Sequence, residues 1–96
     1  MRMENNTTIS IAKDFTVDEV AVFRLEINKL IEKGQRNFTF DFSKCDFIDS
    51  TGLGALVAIY KKCVEKSGTI KLKALKPEVE KLFKLTRLDK VFEINP

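Results

Sequence analysis

The sequence contains no histidine. That absence excludes Ser-His-Asp and Cys-His nucleophilic catalysis, zinc sites with imidazole ligands and histidine-based pH switching. Cysteine is scarce: Cys45 and Cys63 are the two, and they form neither a CxxC pair nor a metal-ligand cluster. Their apolar surroundings mark both as small, reduced core residues. With two prolines and four glycines there is no Pro/Gly/Ser-rich linker, and no internal repeat divides the chain. No apolar run approaches the ~20 residues that span a bilayer, and no charged-then-apolar leader opens the sequence. A cytoplasmic location with no membrane partner is expected. The charge excess is small, 17 basic against 14 acidic residues for a net +3. This is too mild for a nucleic-acid binder.

What remains is a chain of 96 residues, 44% hydrophobic and 32% charged. That balance excludes disorder. The length suits a single domain over 1–96, able to bury roughly 60–70% of its unfolded surface. No disulfide, metal or cofactor is needed to hold it. Residues 1–50 carry seven basic and nine acidic groups, whereas 51–96 carry ten and five. The lysines of the second half are most simply a solvated face.

Strand and helix signals alternate along the chain. Thr7 to Ala12 has the two-residue period of a strand. Thr16-Val17-Asp18-Glu19 has the form of a capping box, with Thr at the N-cap and Glu three residues on. Val20, Phe23, Ile27, Leu30 and Ile31 follow at helical spacing and Gly34 supplies a stop, predicting a helix over 17–33. Val22 and Leu25 lie off that stripe, which predicts a broad buried face. Residues 37–42 read as a strand that sends Phe38, Phe40 and Phe42 to one face. A loop over 43–49 leads to a second helix, with a stripe of Leu53, Leu56, Val57, Tyr60, Cys63 and Val64 ending before Gly68. Residues 69–75 alternate as a third strand, Pro77 opens a short helix with Val79, Leu82 and Phe83 as its apolar face, and 91–94 predict a last strand. The order β-α-β-α-β-α-β implies α/β, with a mainly parallel sheet of about four strands in a single layer. Lys71 and Lys73, between Ile70, Leu72 and Ala74, predict one sheet face open to water and helices largely on the other.

Asp49-Ser50-Thr51-Gly52-Leu53-Gly54 stands where a loop becomes a helix, a place where α/β proteins meet ligands and partners. Gly52-x-Gly54 is only a fragment of a phosphate-binding glycine loop, and no GK[ST] accompanies it. The Asp-Ser/Thr-Gly triplet of aspartic proteases is interrupted by an extra residue and occurs in one copy, whereas a catalytic dyad needs two. A serine nucleophile would lack both GxSxG and a histidine to activate it. Asp41, Asp46 and Asp49 form an acidic cluster of the kind that is usually solvated. The simplest reading is a helix N-cap, with Ser50 or Thr51 accepting backbone N–H bonds. A serine exposed at such a position can also be a phosphorylation site. The added group carries about −1.5 to −2 charges at pH 7, is favoured by the helix dipole and is opposed by Asp46 and Asp49.

The segment from Phe42 through Asp46-Phe47-Ile48-Asp49-Ser50-Thr51-Gly52-Leu53-Gly54 resembles the signature of STAS domains, specifically bacterial anti-sigma factor antagonists. The stretch from Pro77-Glu78-Val79 through Leu82-Phe83 to Leu88 and Phe92 is similar to that family's Pro-x-Val-x-x-Leu-Phe…Gly-Leu-x-x-x-Phe tail. The resemblance covers residues 7–94 in element order and is specific over 41–56. It implies a non-enzymatic switch with no cofactor. Its partner would be a protein that is both anti-sigma factor and serine kinase, bound when the switch is unphosphorylated and released on phosphorylation. Carried over, the acceptor is Ser50, and a serine phosphatase restores the binding form. The family's acid near the acceptor corresponds to Asp14, displaced here by one position. The extra leading strand of many members has no room before Thr7, and the usual final helix is cut short at Pro96.

The partner surface implied comprises Asp14, Asp46, Asp49, Ser50, Thr51, Gly52, Leu53 and Gly54, extended along the second helix by Ala55, Ala58 and Ile59, which lie off its main apolar stripe and read equally as part of a wide buried face. A monomer is expected. A competing reading is a non-switching STAS adaptor in a larger assembly for lipid transport or stress signalling, with Ser50 as a cap alone. A third is a small ligand-binding or enzymatic protein, which would show a nucleotide pocket at Gly52–Gly54.

Overall fold

The alternation in Asn37-Phe38-Thr39-Phe40-Asp41 decides how the layer is built. In a strand successive side chains take opposite faces, and here Phe38 and Phe40 are wholly buried while Asn37, Thr39 and Asp41 face outward. The computed structural model describes residues 6–96. These run β1 (Asn6–Ser10), β2 (Asp14–Phe15), α1 (Val17–Glu32), β3 (Asn37–Asp41), β4 (Phe47–Ile48), α2 (Ser50–Glu65), β5 (Thr69–Lys73), α3 (Pro77–Leu85), a 3-10 turn at Leu88–Lys90, and β6 (Glu93–Asn95). The four longer strands form a parallel sheet in the order β1-β3-β5-β6. Its register aligns Ile9, Phe40, Leu72 and Ile94 on the inner face. Thr8, Thr39, Lys71 and Glu93 align on the outer one. The expected single layer, with helices over one face and water over the other, is what forms.

Burying a Phe contributes about 1.5–3 kcal/mol, and the core uses Phe15, Phe23, Phe38, Phe40, Phe42, Phe83 and Phe92 in this way. Edge-to-face contacts link Phe15 to Phe23 at 5.0 Å and Phe23 to Phe40 at 5.1 Å, tying β2, α1 and β3 together. A second series, Phe42–Phe83–Phe92–Tyr60, connects the end of β3 to α3, the last strand's approach and α2. Cys45 and Cys63 are buried and free. Burial pushes both thiols up from their ordinary pKa.

Several local expectations change. The first strand stops at Ser10 rather than Ala12, because the chain steps off the main sheet to build a second parallel ladder, β2 with β4. The third strand stops at Lys73, where Ala74 takes a positive φ of 60°. The last strand is displaced to 93–95 by the 3-10 turn, which Arg87 initiates in the left-handed region at φ 63°. Thr16 is the N-cap of α1, yet its side chain makes no capping bond, so the capping box does not form. Asp18 and Glu19 still complement the helix dipole in the first turn. Gly34 stops the helix as expected, at φ 101° with its N–H on the Ile31 carbonyl.

The broad buried face of α1 is also absent. Val20, Phe23, Ile27 and Ile31 are buried, whereas Val22 and Leu25 are 64% and 65% exposed. A helix at the rim of a one-sided layer has a sheet beneath it and a neighbour on one flank only. In α2 the buried stripe is Gly52, Ala55, Leu56, Ile59 and Cys63, with Leu53, Val57 and Tyr60 half-buried and Val64 exposed. Small residues bring this helix close to the layer, so its inner face is centred one position away from the larger apolar side chains.

Candidate functional site

The carboxyl end of β3 begins the site. The Asp41 carboxylate accepts the backbone N–H of Ser43 at 2.9 Å, turning the chain out of the sheet. That bond, helped by the Ser43 hydroxyl, holds the Asp41 carboxyl below its ordinary pKa. Phe42 and Cys45 stay buried and anchor the turn, with the Cys45 N–H on the Phe42 carbonyl. The Cys45 thiol donates to the Phe47 carbonyl at 3.4 Å.

The segment then pairs with the chain after β1. The N–H groups of Asp46 and Phe47 both donate to the Lys13 carbonyl, at 2.8 and 3.2 Å. The register sets Asp14 opposite Phe47 and Phe15 opposite Ile48. Phe15 and Ile48 point inward and Asp14 and Phe47 outward. Asp14, displaced by one position in sequence, is thereby brought beside the 46–49 segment.

Asp49 is the N-cap of α2, its carboxylate accepting the N–H of Gly52 at 3.1 Å. This corrects the expectation that Ser50 or Thr51 caps the helix. Both residues are exposed in its first turn, and the Ser50 hydroxyl has no hydrogen-bond partner among the described residues. Gly52 is buried for a steric reason. A Cβ there would lie 2.8 Å from Ile48 Cγ1, Phe15 Cδ2 and the Phe15 carbonyl oxygen. The glycine therefore lets α2 seat directly on the β2–β4 ladder. Gly54 is different: it is exposed, and a Cβ there would meet nothing within 4 Å.

The acids around Ser50 are individually engaged. Asp46 forms an ion pair with Lys76, at the amino end of α3, and the hydrogen bond from that ammonium lowers the Asp46 carboxyl pKa. Asp49 is committed to its cap. Among the described residues no three His, Cys, Asp or Glu side chains gather to hold a metal, and no helix is long and apolar enough to cross a membrane.

Of the residues expected on the partner surface, Asp14, Asp46, Ser50, Thr51 and Gly54 are exposed together at this end of the layer, with Asp49 and Leu53 half-buried among them. Gly52, Ala55 and Ile59 are not part of an outer surface. Ala55 and Ile59 are 1% and 2% exposed, because the helix face that carries them packs into the core, and Ala58 is half-buried. Phe47, missing from the expected set, is 52% exposed three residues before Ser50. Its signal was the alternation Phe47-Ile48, which sends one side chain inward and the other out.

Residues 2–96 match the family described as the STAS domain. The chain is 29% identical over 92 residues to the anti-sigma-B factor antagonist of Bacillus subtilis, covering 96% of this chain and 84% of that protein. Its fold is similar to that of TM1081 from Thermotoga maritima, with a TM-score of 0.86 and 23% identity over 98% of this chain and 76% of that one. It is also similar to the anti-sigma factor antagonist SpoIIAA in its unphosphorylated form, with a TM-score of 0.83 and 21% identity over 98% and 84% of the two chains. Against the phosphorylated form of Bacillus SpoIIAA the TM-score is 0.76, at 20% identity over 98% and 86%.

Proposed function

The chain belongs to the STAS domain family, and from that premise we propose that it is an anti-sigma factor antagonist switched by phosphorylation of Ser50. STAS anti-sigma factor antagonists are non-catalytic regulatory proteins, and what such a protein contributes is a surface whose affinity changes. Unphosphorylated, the chain binds an anti-sigma factor that is also a serine kinase. This frees the sigma factor for transcription. The kinase moves the γ-phosphoryl group of ATP to Ser50 Oγ, which gives up its proton, and ADP leaves. A serine phosphatase reverses the modification by hydrolysis.

The observation that carries this reading is the state of the Ser50 hydroxyl. It is exposed in the first turn of α2, and Asp49 performs the capping that would otherwise occupy it. Within the isolated domain a phosphate there meets the positive end of the helix dipole. Against a partner the balance reverses. The exposed ring of Phe47 and the open ground over Gly54 suit a dry contact, and a dianion buried in one without a matching cation disfavours it by several kcal/mol. Each ~1.4 kcal/mol is tenfold in affinity. SpoIIAA, whose fold this chain shares, has been solved both phosphorylated and unphosphorylated, which supports a switch that acts at a surface and leaves the fold in place.

Incubation with ATP and lysate of the source organism, followed by intact-mass measurement and site mapping, tests the proposal. One phosphate at Ser50, absent from Ser50→Ala, is expected. An unmodified chain in a lysate that phosphorylates a control substrate would reject it in favour of a passive adaptor.

A further inference from the structure

The approach to α3 breaks two local rules. Ala74 takes a positive φ of 60°, a conformation that an L side chain adopts only at a cost. Lys76 is the N-cap of α3 and makes no side-chain capping bond. Ser, Thr, Asp and Asn are the residues favoured at that position, and a cation there stands against the positive end of the helix dipole. Pro77 and the first-turn acids Glu78 and Glu80 follow the rules for a helix start. Ala74 and Lys76 do not, and such departures gather at functional or strained places.

What these two residues achieve lies across the fold. The left-handed turn at Ala74 takes the chain off β5 while its N–H stays on the Asn95 carbonyl at 3.2 Å. Two residues on, the Lys76 ammonium reaches Asp46, thirty positions earlier, and donates to its carboxylate in an ion pair. The Asp46 N–H shares the Lys13 carbonyl with the N–H of Phe47. The ion pair therefore stands next to the residue whose exposed ring marks the candidate surface. Charge shows what it is for. At this end of the layer Asp14 and Asp46 are exposed and Asp49 is half-buried. A carboxylate carried into a dry contact without a cation disfavours that contact, as a phosphate does. Asp46 brings its cation with it.

We propose that Lys76 is a specificity-determining residue of the switch. Held against Asp46, it cancels one of the chain's own carboxylates beside Phe47, so that a phosphate added at Ser50 is what changes the charge the partner meets. The inference rests on the proposed function and adds to it a residue of α3 that lies outside the expected partner surface. Part of each side chain stays in water, so Lys76 tunes affinity by a modest factor.

Phosphorylation of the purified chain by ATP and a lysate of the source organism, followed by intact mass over a series of chain concentrations, tests it. Lys76→Met is expected to raise the half-saturating concentration about threefold to tenfold and to leave the maximal rate within about twofold of wild type. Lys76→Arg keeps the charge and should match wild type. Asp46→Asn added to Lys76→Met removes the uncompensated carboxylate, and should return the half-saturating concentration to within about twofold of wild type. Urea midpoints of all the variants should stay near that of the wild type, because the pair lies at the surface.

An unchanged half-saturating concentration in Lys76→Met would overturn the inference. So would a loss that persists in the double variant, which would mark the pair as a mechanical tie. A wild type that takes no phosphate at Ser50, in a lysate that modifies a control substrate, would instead reject the switch itself and the inference with it.

Discussion

The carboxylate of Asp49 accepts the Gly52 N–H at 3.1 Å, and by doing so it relieves Ser50 of any structural duty at the start of α2. Adjacent residues have divided two tasks that one serine could have combined. The cap is fixed in place, and the hydroxyl beside it is available for chemistry.

That division predicts a contrast in stability. Asp49→Ala removes the acceptor and is expected to destabilise the domain by about 0.5–2 kcal/mol. Ser50→Ala should stay within about 0.5 kcal/mol of wild type. Urea denaturation of the two variants decides it. A larger loss from Ser50→Ala than from Asp49→Ala would return the capping role to the serine.

The two glycines of the segment predict opposite responses to the same substitution. Gly52→Ala forces a methyl group against Ile48 and the Phe15 backbone, and is expected to destabilise by about 1–3 kcal/mol or more. Gly54→Ala meets open space in a helix, where the change is worth up to about 1 kcal/mol of added stability. If Gly54 lies under the partner, that more stable variant will bind the anti-sigma factor less well. Thermal melts paired with a binding titration separate the two effects.

Phe47 should matter to binding and little to folding. Its ring is half exposed, so Phe47→Ala is expected to change stability by less than about 1 kcal/mol. At the centre of a contact the same truncation weakens binding by roughly tenfold or more. Calorimetry against the anti-sigma factor reads this directly, and unchanged affinity would move the interface away from the β4 edge.

Acid should loosen the turn before Ser50. The Ser43 N–H and hydroxyl hold the Asp41 carboxyl below its unfolded value, and the Lys76 hydrogen bond does the same for Asp46. A group with a depressed folded pKa binds more protons when unfolded. Its contribution is therefore present above the unfolded value of about 3.9, and is lost as pH falls through the folded one. Unfolding measured between about pH 5 and 2 should show a steeper loss in wild type than in Asp41→Asn. Both groups are solvent-exposed, so the difference is small and shrinks with salt.

Much of this was legible in the sequence. Strict alternation at Phe38–Phe42 and at Ile70–Lys73 declared the strands and the open face, because a sheet covered on one side leaves its period in the chain. The helix at 17–32 and its stop at Gly34 followed from spacing and from one residue able to take positive φ. The β2–β4 ladder was not legible. A pair of two-residue strands is too short to show a period, and it is held by carbonyl contacts at Lys13 that any residue could make. Nor could the inner face of α2 be read by size: Gly52 and Ala55 are buried because they are small, a choice made by the surface they meet. The site itself was visible as a motif, yet only the fold distinguishes Asp49 as cap, Gly52 as spacer and Phe47 as exposed ring.

Under the proposed switch, the β2–β4 ladder also bears on how a kinase would reach Ser50. Ser50 sits at the very start of a helix whose first N–H groups have few intrahelical partners. Freeing its backbone requires releasing the Asp49–Gly52 and Leu53–Asp49 contacts and lifting Gly52 off Ile48 and Phe15 of the ladder. In amide-exchange terms, the Gly52 N–H is expected to be protected with the core of the domain, because it is capped and seated on the ladder. Under that switch, Ser50 would be offered on a pinned helix start, its exposed hydroxyl open to modification without the turn unwinding.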